Sequence, residues 1–489
     1  MNGTNQMSDL LQQFDLVIGL EVHCQLDTQS KLFCGCSTSF GGEPNAHTCP
    51  VCLGLPGALP VVNKKVLDSA IALALAVGAD IRQRSVFARK QYFYPDLPKG
   101  YQISQFDLPF CENGGITLTS GKFVELTRIH IEEDAGKNVH GDKNSFVDLN
   151  RAGIPLLEIV STPQLTSPEE ASDYLRRLHS IVRFLEISNA NMEEGSFRCD
   201  ANVSLKRKGA TKLGTRCEIK NLNSFRNIER AIHYEAVRQA DIIVQGGTIS
   251  QQTMLFDANN GSTRPMRSKE ESHDYRYFPD PDLPVLFISE ERIEKTRKSL
   301  PELPVQLEKR FMEQFELPAV DAAQLTSDRD LAKYFESSTK FLKKGTPKLT
   351  ANWILSELAR EVNDRSWNYV TCPVSAQSIA QLVNAIGDGT ISGKIAKTVF
   401  KSMVETGKDP ETIIKEEGLV QISDDSAIRS LVERIVNENP AQVAEFLSGK
   451  EKIIGFFVGR IMKESGGKMN PATVNAILLA TLNSKKAGS

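Results

Sequence analysis

Glu21 and His23 stand two residues apart in Val17-Ile18-Gly19-Leu20-Glu21-Val22-His23. The stretch is short, alternating and rich in β-branched residues, which predicts a strand. Side chains two apart on a strand point the same way. A carboxylate and an imidazole therefore share one face, with Leu16, Ile18, Leu20, Val22 and Cys24 on the other. Burying that pair costs free energy unless something compensates it. Two compensations are open: a hydrogen bond between the two side chains, or a hard cation held by oxygen and nitrogen.

Further acids follow on predicted strands. Leu126 to Glu133 runs into the acidic turn Glu132-Glu133-Asp134-Ala135-Gly136, which taken alone reads as solvated. Glu158 is the sole charge in the apolar stretch Leu156-Leu157-Glu158-Ile159-Val160. An ionised carboxylate there must be paired, bound to metal or shifted in pKa. Two more strands carry polar faces, Arg198, Asp200, Asn202 and Ser204 on one and Arg216, Glu218 and Lys220 on the next. Such a sheet face is either solvated or the floor of a polar cleft. The strand-borne Glu21, His23, Glu133 and Glu158 favour the cleft. Oxygen ligands with one imidazole suit Mg²⁺ or Mn²⁺. A divalent cation beside Lys and Arg points to phosphoryl transfer.

A second constellation is Cys34-Gly35-Cys36 followed by Cys49-Pro50-Val51-Cys52 in a loop rich in Gly, Pro and Ser. Four thiols on two tight turns supply a tetrahedral zinc site, with thiol redox chemistry as the remaining reading. Two segments interleave cations, aromatics and prolines: Arg89 to Gln105, and His273-Asp274-Tyr275-Arg276-Tyr277-Phe278-Pro279-Asp280-Pro281. They suit base stacking and phosphate gripping, or they are rigid packed loops.

These residues need a scaffold. Asn63 to Gly78 shows a helical apolar stripe with a glycine stop. Ser167-Pro168-Glu169-Glu170 is a capping box opening a second helix, and Ser224 caps a third that runs to Gly246-Gly247. After Pro301 strand-like alternation gives way to helical patterns. The expected architecture is α+β: an antiparallel-sheet domain over 1–297 with a zinc-knuckle insertion at 34–52, a helical domain over 298–407 and a helical tail over 408–489. From Lys450 onward seven Lys and Arg face two acids. Arg460, Lys463 and Lys468 lie there among glycines, which fits phosphate-backbone contact or a solvated helix pair.

The 489 residues carry a formal charge of −3, so any nucleic-acid binding must use local patches. No apolar run is long enough to span a membrane. The first fourteen residues resemble neither a signal nor a transit peptide, which points to a reducing cytoplasm. Nucleotide-binding P-loop, dinucleotide, kinase and serine-hydrolase signatures are all missing.

The wording of the chain then becomes specific. VIGLEVHCQL, FYPDLPKGYQISQ, IEEDAGK, DLNRAGIPLLEIVS, MEEGSFRCDANVS, EIKNLNSF and DYRYFPDPDLP resemble the B subunits of the heterotrimeric aspartyl/glutamyl-tRNA amidotransferases, the GatB family, over almost the whole length. The resemblance implies a cradle domain related to the glutamine synthetase and guanido kinase fold. It implies ATP-dependent phosphorylation of the side-chain carboxylate of Glu on tRNA(Gln) or Asp on tRNA(Asn), followed by ammonia attack. Ammonia would come from glutamine, hydrolysed by a separate amidase chain of the heterotrimer. A third, small chain would clamp the assembly, and the helical domains would hold the tRNA. Carried onto this sequence, the Mg²⁺ ligands fall to His23, Glu133 and Glu158 with Glu21 adjoining, and Asp200 faces metal or ATP. Cys34, Cys36, Cys49 and Cys52 match the zinc-binding subset of the family. Lys99, Arg198, Lys220 and Arg276 are the cations available to a phosphate or an oxyanion, a reading from charge alone.

Overall fold

The computed structural model describes residues 11–141, 143–268, 275–419, 425–465, 469 and 471–487. Within them the chain divides into two compact units, at Pro304/Val305. The boundary expected after residue 297 falls inside the helix Glu290–Ser299. That helix belongs to the first unit, because Arg292 donates to Asp68 Oδ1 at 2.8 Å.

The first unit is built on a ten-stranded sheet. Its strands are β1 (Phe14–Gln25), β2 (Asp80–Ile81), β3 (Cys111–Glu112), β4 (Gly115–Thr117), β5 (Phe123–Glu133), β6 (Pro155–Ser161), β7 (Phe197–Arg207), β8 (Cys217–Leu222), β9 (Gln252–Asp257) and β10 (Ser262–Ser268). The order across the sheet is β10-β9-β8-β7-β1-β6-β5-β3-β2, with β4 also on β5. Pairing is antiparallel except between β8 and β9. That parallel step needs a crossover, supplied by a helix.

Three helices cover one face: α1 (Lys64–Ala76), α2 (Pro168–Phe184) and α3 (Phe225–Val244). Each starts on a polar cap. Asn63 accepts from Lys65 N, Ser167 from Glu170 N and Ser224 from Asn227 N, each cap satisfying a first-turn donor. Their apolar stripes, among them Ala70, Leu73, Leu175, Leu178, Ala231 and Ile232, meet Ile18, Leu20, Val22, Ile129, Ile131, Leu157, Ile159 and Ala201 in one buried core. Period two leaves the other face of the same strands polar.

The two aromatic, cationic segments come together although they are far apart in sequence. Ala88–Gln91 pairs with Tyr101–Ser104 on one side and with Phe278–Pro279 on the other. Arg89 fastens this ribbon, donating to Asp280 at 2.8 Å and Asp282 at 2.9 Å and lying 4.2 Å over the Tyr101 ring.

The second unit is helical. Gly407 (φ 69°) stops the helix Gly393–Thr406, and Pro410–Glu416 packs back on the same layer, which therefore continues past the boundary expected there. A separate core runs from Ile428 to Leu482, with Val432, Ile435, Phe457 and Leu478 at its centre. No helix among the described residues is long and apolar enough to cross a membrane.

Candidate functional site

The polar face of the sheet carries one row of four side chains in register. His130 of β5 lies opposite Glu158 of β6, Glu158 opposite His23 of β1, and His23 opposite Arg198 of β7. His23 Nε2 is 3.4 Å from Glu158 Oε2 and 3.5 Å from Glu132 Oε1. His130 Nε2 is 3.2 Å from the same Glu158 oxygen and 3.5 Å from Glu132 Oε2. His23, Glu132 and Glu158 each offer a ligand atom, and these lie within 4.8 Å of one another. One imidazole and two carboxylates at that separation are a donor set for a hard divalent cation.

The convergent set differs from the expected one at two positions. Glu133, expected as a ligand, is on the opposite face. Alternation places it with Ile129 and Ile131 and places Glu132 with His130. Lys99 forms a close ion pair with Glu133 Oε1, and Ile103 N donates to the same oxygen at 2.9 Å. Glu21 shares the face of His23 but sits opposite Val160 and Asp200, where its carboxylate accepts from Asn202 Nδ2 at 2.8 Å. It lies outside the convergent set.

The end of β5 owes its position to the ribbon. β3 begins only at Cys111, opposite Ile129, so Ile131 to Glu133 have no strand partner on that edge. Gln105 Oε1 accepts from Ile131 N (3.0 Å), Gln102 Nε2 donates to Glu133 O (2.6 Å) and Ser104 Oγ donates to Glu132 Oε2 (3.1 Å). Buried backbone groups need such partners. The same ribbon holds Lys90 4.7 Å over the Tyr275 ring. Burial pulls the Lys90 pKa down, but Tyr277, Glu132 and Glu158 outweigh it and raise it above the ordinary value.

The remaining expected cations are divided. Arg198 donates to Asp134 Oδ1 at 3.1 Å, and Asp134 also accepts from Gln25 at 2.8 Å. Lys220 donates to Asp200 Oδ2 at 2.6 Å and lies 3.2 Å from Glu218. Both stand on the polar face. Arg276 is exposed and makes no ion pair among the described residues. In the second unit Arg460 and Lys463 are exposed on the helix Ile454–Glu464, and Arg460 donates to Asn439 Oδ1 at 2.9 Å. Lys468 lies outside the described residues.

Charge inside the cluster is balanced by proximity. Burial opposes every ionised form, yet the two imidazoles hold Glu158 well below the usual carboxylate range and lower Glu132 too. For His130, burial is outweighed by Glu158 and Glu132, which push it up to about 9. A raised folded-state value stabilises the fold fully below the ordinary value of 6.5 and stops doing so as pH rises through about 9. With divalent cations chelated, the melting temperature is expected to fall between about pH 7 and about pH 10, and His130→Gln to flatten that slope. Scanning fluorimetry across this range checks it. An equal slope in the variant would remove His130 from the linkage.

A second donor set lies in the 34–52 loop. The sulfurs of Cys34, Cys36, Cys49 and Cys52 fall within 4.8 Å of one another, and none is in a disulfide. Sulfurs on tetrahedral zinc are about 3.8 Å apart, given Zn–S bonds of about 2.3 Å, so small movements close the set. The hydrogen bond from Cys34 holds the Cys52 thiol well below the ordinary thiol range.

Glu132, His130 and Lys90 escaped the sequence reading. The first two carried a signal, since continuing the alternation from Ile129 and Ile131 puts both on the polar face. Lys90 carried none beyond its place in a cationic segment, because its neighbours arrive from Tyr275 and from β5.

Comparison with known proteins agrees over the length of the chain. A family model described as the GatB/GatE catalytic domain matches residues 16–294, and one described as the GatB domain matches residues 333–482. The B subunit of the aspartyl/glutamyl-tRNA(Asn/Gln) amidotransferase of Geotalea daltonii is 55% identical over 478 residues, 96% of this chain and 99% of that protein. The protein of the same name from Geobacter sulfurreducens is 54% identical over 478 residues, 96% of this chain and 99% of its own length. That of Prosthecochloris aestuarii is 51% identical over 480 residues, 97% of this chain and 99% of its own. The chain belongs to the GatB family of tRNA amidotransferase B subunits.

Proposed function

We propose that this chain activates the side-chain carboxylate of Glu or Asp carried on tRNA. It would do so as the phosphorylating and tRNA-binding part of a cytoplasmic heterotrimer, beside an amidase chain and a small clamping chain. The convergence of His23, Glu132 and Glu158 on one sheet face, under a cation rim of Lys90, Arg198 and Lys220, carries this reading. A carboxylate is a poor acyl donor because its oxygen leaves badly. Transfer of the γ-phosphoryl of ATP to that oxygen gives an acyl phosphate and ADP. Ammonia then attacks the carbonyl carbon, the C–O bond breaks, phosphate leaves, and the nitrogen loses a proton to give the amide.

Bound by His23, Glu132 and Glu158, Mg²⁺ or Mn²⁺ would offset the negative charge shared by ATP and the attacking carboxylate. The chain's own part is to position and neutralise. Lys90 is fixed over the Tyr275 ring near the two acids, so its charge is in place without the cost of ordering a long side chain. Arg198 and Lys220 are held by Asp134 and Asp200 on the neighbouring strands. Arg460 and Lys463 offer exposed charge to the tRNA backbone. The four cysteines hold zinc as a structural centre, with no open position implied.

The test supplies the assembled complex with misacylated Glu-tRNA(Gln), ATP and ammonium in place of glutamine. One ADP and one phosphate are expected per amide formed. Conversion without ATP, or conversion undiminished in His23→Ala, would make this chain a tRNA-holding scaffold.

A further inference from the structure

Lys31 is fully buried, at 0% exposure. Its ammonium donates to His47 O at 2.7 Å and Leu149 O at 3.3 Å and lies 3.8 Å from Cys52 Sγ. It forms no ion pair with a carboxylate among the described residues. An ammonium taken fully out of water needs a compensating negative charge, and carbonyl dipoles supply it only in part. The carboxylate beside Gly153, that of Glu133, is already paired with Lys99. The other chemistry within reach that can become anionic is the four-cysteine cluster. Two disulfides would leave the ammonium uncompensated, whereas a thiolate at Cys52 would not. Four thiolates on a divalent ion carry two net negative charges, and a buried cation beside them offsets one.

The backbone is shaped for this contact. Gly153 has φ 89°, and a Cβ there would lie 3.4 Å from Lys31 Cδ and 3.6 Å from Cys52 Cβ. Both distances are ordinary van der Waals contacts, so the turn lies directly against the lysine stem and the cysteine, and it is the positive φ that calls for glycine. The contact is also a splice. Leu32 N donates to Gly153 O at 2.9 Å, His47 N to Asn150 Oδ1 at 2.8 Å, and Leu149 N to Asn45 Oδ1 at 2.8 Å. From that turn Gly153 N donates to Asp134 O at 2.9 Å, and Asp134 N donates to Ile154 O at 2.8 Å. Asp134 directly follows Glu132 and Glu133. The cysteine loop is thus braced against the end of β5, where the acid cluster is held.

We propose that Lys31 is a positioning residue of the four-cysteine centre, the counter-charge of a metal–tetrathiolate that locks the loop onto the Leu149–Gly153 turn. The proposal rests on the metal reading of the cysteines. The experiment separates the two. The full-length chain in its complex is loaded with zinc, and release to a chromogenic chelator is followed for wild type, Lys31→Met, Lys31→Gln and Lys31→Arg. Loss of such a partner typically costs about 10-fold to 100-fold in metal affinity. Release from the Met and Gln variants is therefore expected to be at least about 10-fold faster, with Arg restoring it to within about threefold. Amide exchange of residues 147–154 in wild type is expected to rise when zinc is extracted, a readout that holds if a variant fails to fold. Wild type that takes up no zinc overturns the metal reading and the proposal with it. Zinc uptake with equal release from wild type and Lys31→Met, or with exchange of 147–154 unchanged on extraction, overturns the role of Lys31 alone.

Discussion

Glu158→Gln is expected to slow ATP-dependent carboxylate activation by about 10³-fold, about 4 kcal/mol of barrier, because it removes a shared anionic donor from the centre of the row. Binding of tRNA should stay within about twofold, since no phosphate contact is lost. The decisive comparison is between the adjacent residues Glu132 and Glu133. Glu132→Gln takes a carboxylate away from His23 and His130, which lie 3.5 Å from it. It should weaken Mn²⁺ binding about as much as Glu158→Gln. Glu133→Gln takes a carboxylate away from Lys99 on the other face. That change leaves a buried ammonium short of its partner, so turnover will suffer through local disorder and cannot tell the two apart. Cation affinity can. Titration of Mn²⁺ by paramagnetic relaxation should show near-wild-type binding for Glu133→Gln and a loss of at least about 10-fold for Glu132→Gln. Equal losses in both would return Glu133 to the ligand set.

That comparison marks the limit of what the sequence shows. Alternation around Leu20, Val22, Ile129, Ile131 and Ile159 makes the strands legible, and with them His23 and Glu158, because period two is set by backbone geometry alone. The cysteine spacing is legible because its ligands are close in sequence. The run Glu132-Glu133-Asp134 reads as one acidic turn at the end of the strand Leu126 to Glu133, and carrying the alternation of Ile129 and Ile131 into that turn is what separates Glu132 from Glu133. Pro265 lacks an N–H and so hides a strand in the sequence around it. In the structure Ser262–Ser268 is an edge strand, where a missing N–H need not be paired. The joining of the Arg89 and Phe278 segments into one ribbon depends on contacts almost two hundred residues apart, to which no local pattern refers.

Glu235 shows how much of the site depends on residues with no chemical signature. It sits on α3 at 0% exposure and accepts from Arg238 at 2.6 and 2.9 Å, Gln239 at 2.9 Å and Thr263 Oγ1 at 2.9 Å. Gln239 also donates to Val203 O of β7 at 3.0 Å, so this carboxylate ties the crossover helix to both β7 and β10. Glu235→Ala strands buried donors on Gln239 and Thr263, whereas Arg238 can turn toward solvent. The expected cost is therefore at the lower end for a broken buried pair, about 3 kcal/mol. Two compact units can melt separately, so the loss is read locally in the first of them. Amide exchange over 252–268 should accelerate by about 10²-fold, the ratio that about 3 kcal/mol represents. β9 pairs with β8, and Thr253 Oγ1 donates to Glu218 at 3.1 Å beside Lys220. Loosening this edge should therefore reach Lys220 and weaken ATP binding before it reaches His23, which is anchored by β6 and β7. A variant with fast exchange at 252–268 and unchanged ATP affinity would detach Lys220 from the nucleotide. A variant with wild-type exchange would show that Gln239 and Thr263 find other acceptors and that Glu235 is not the pin.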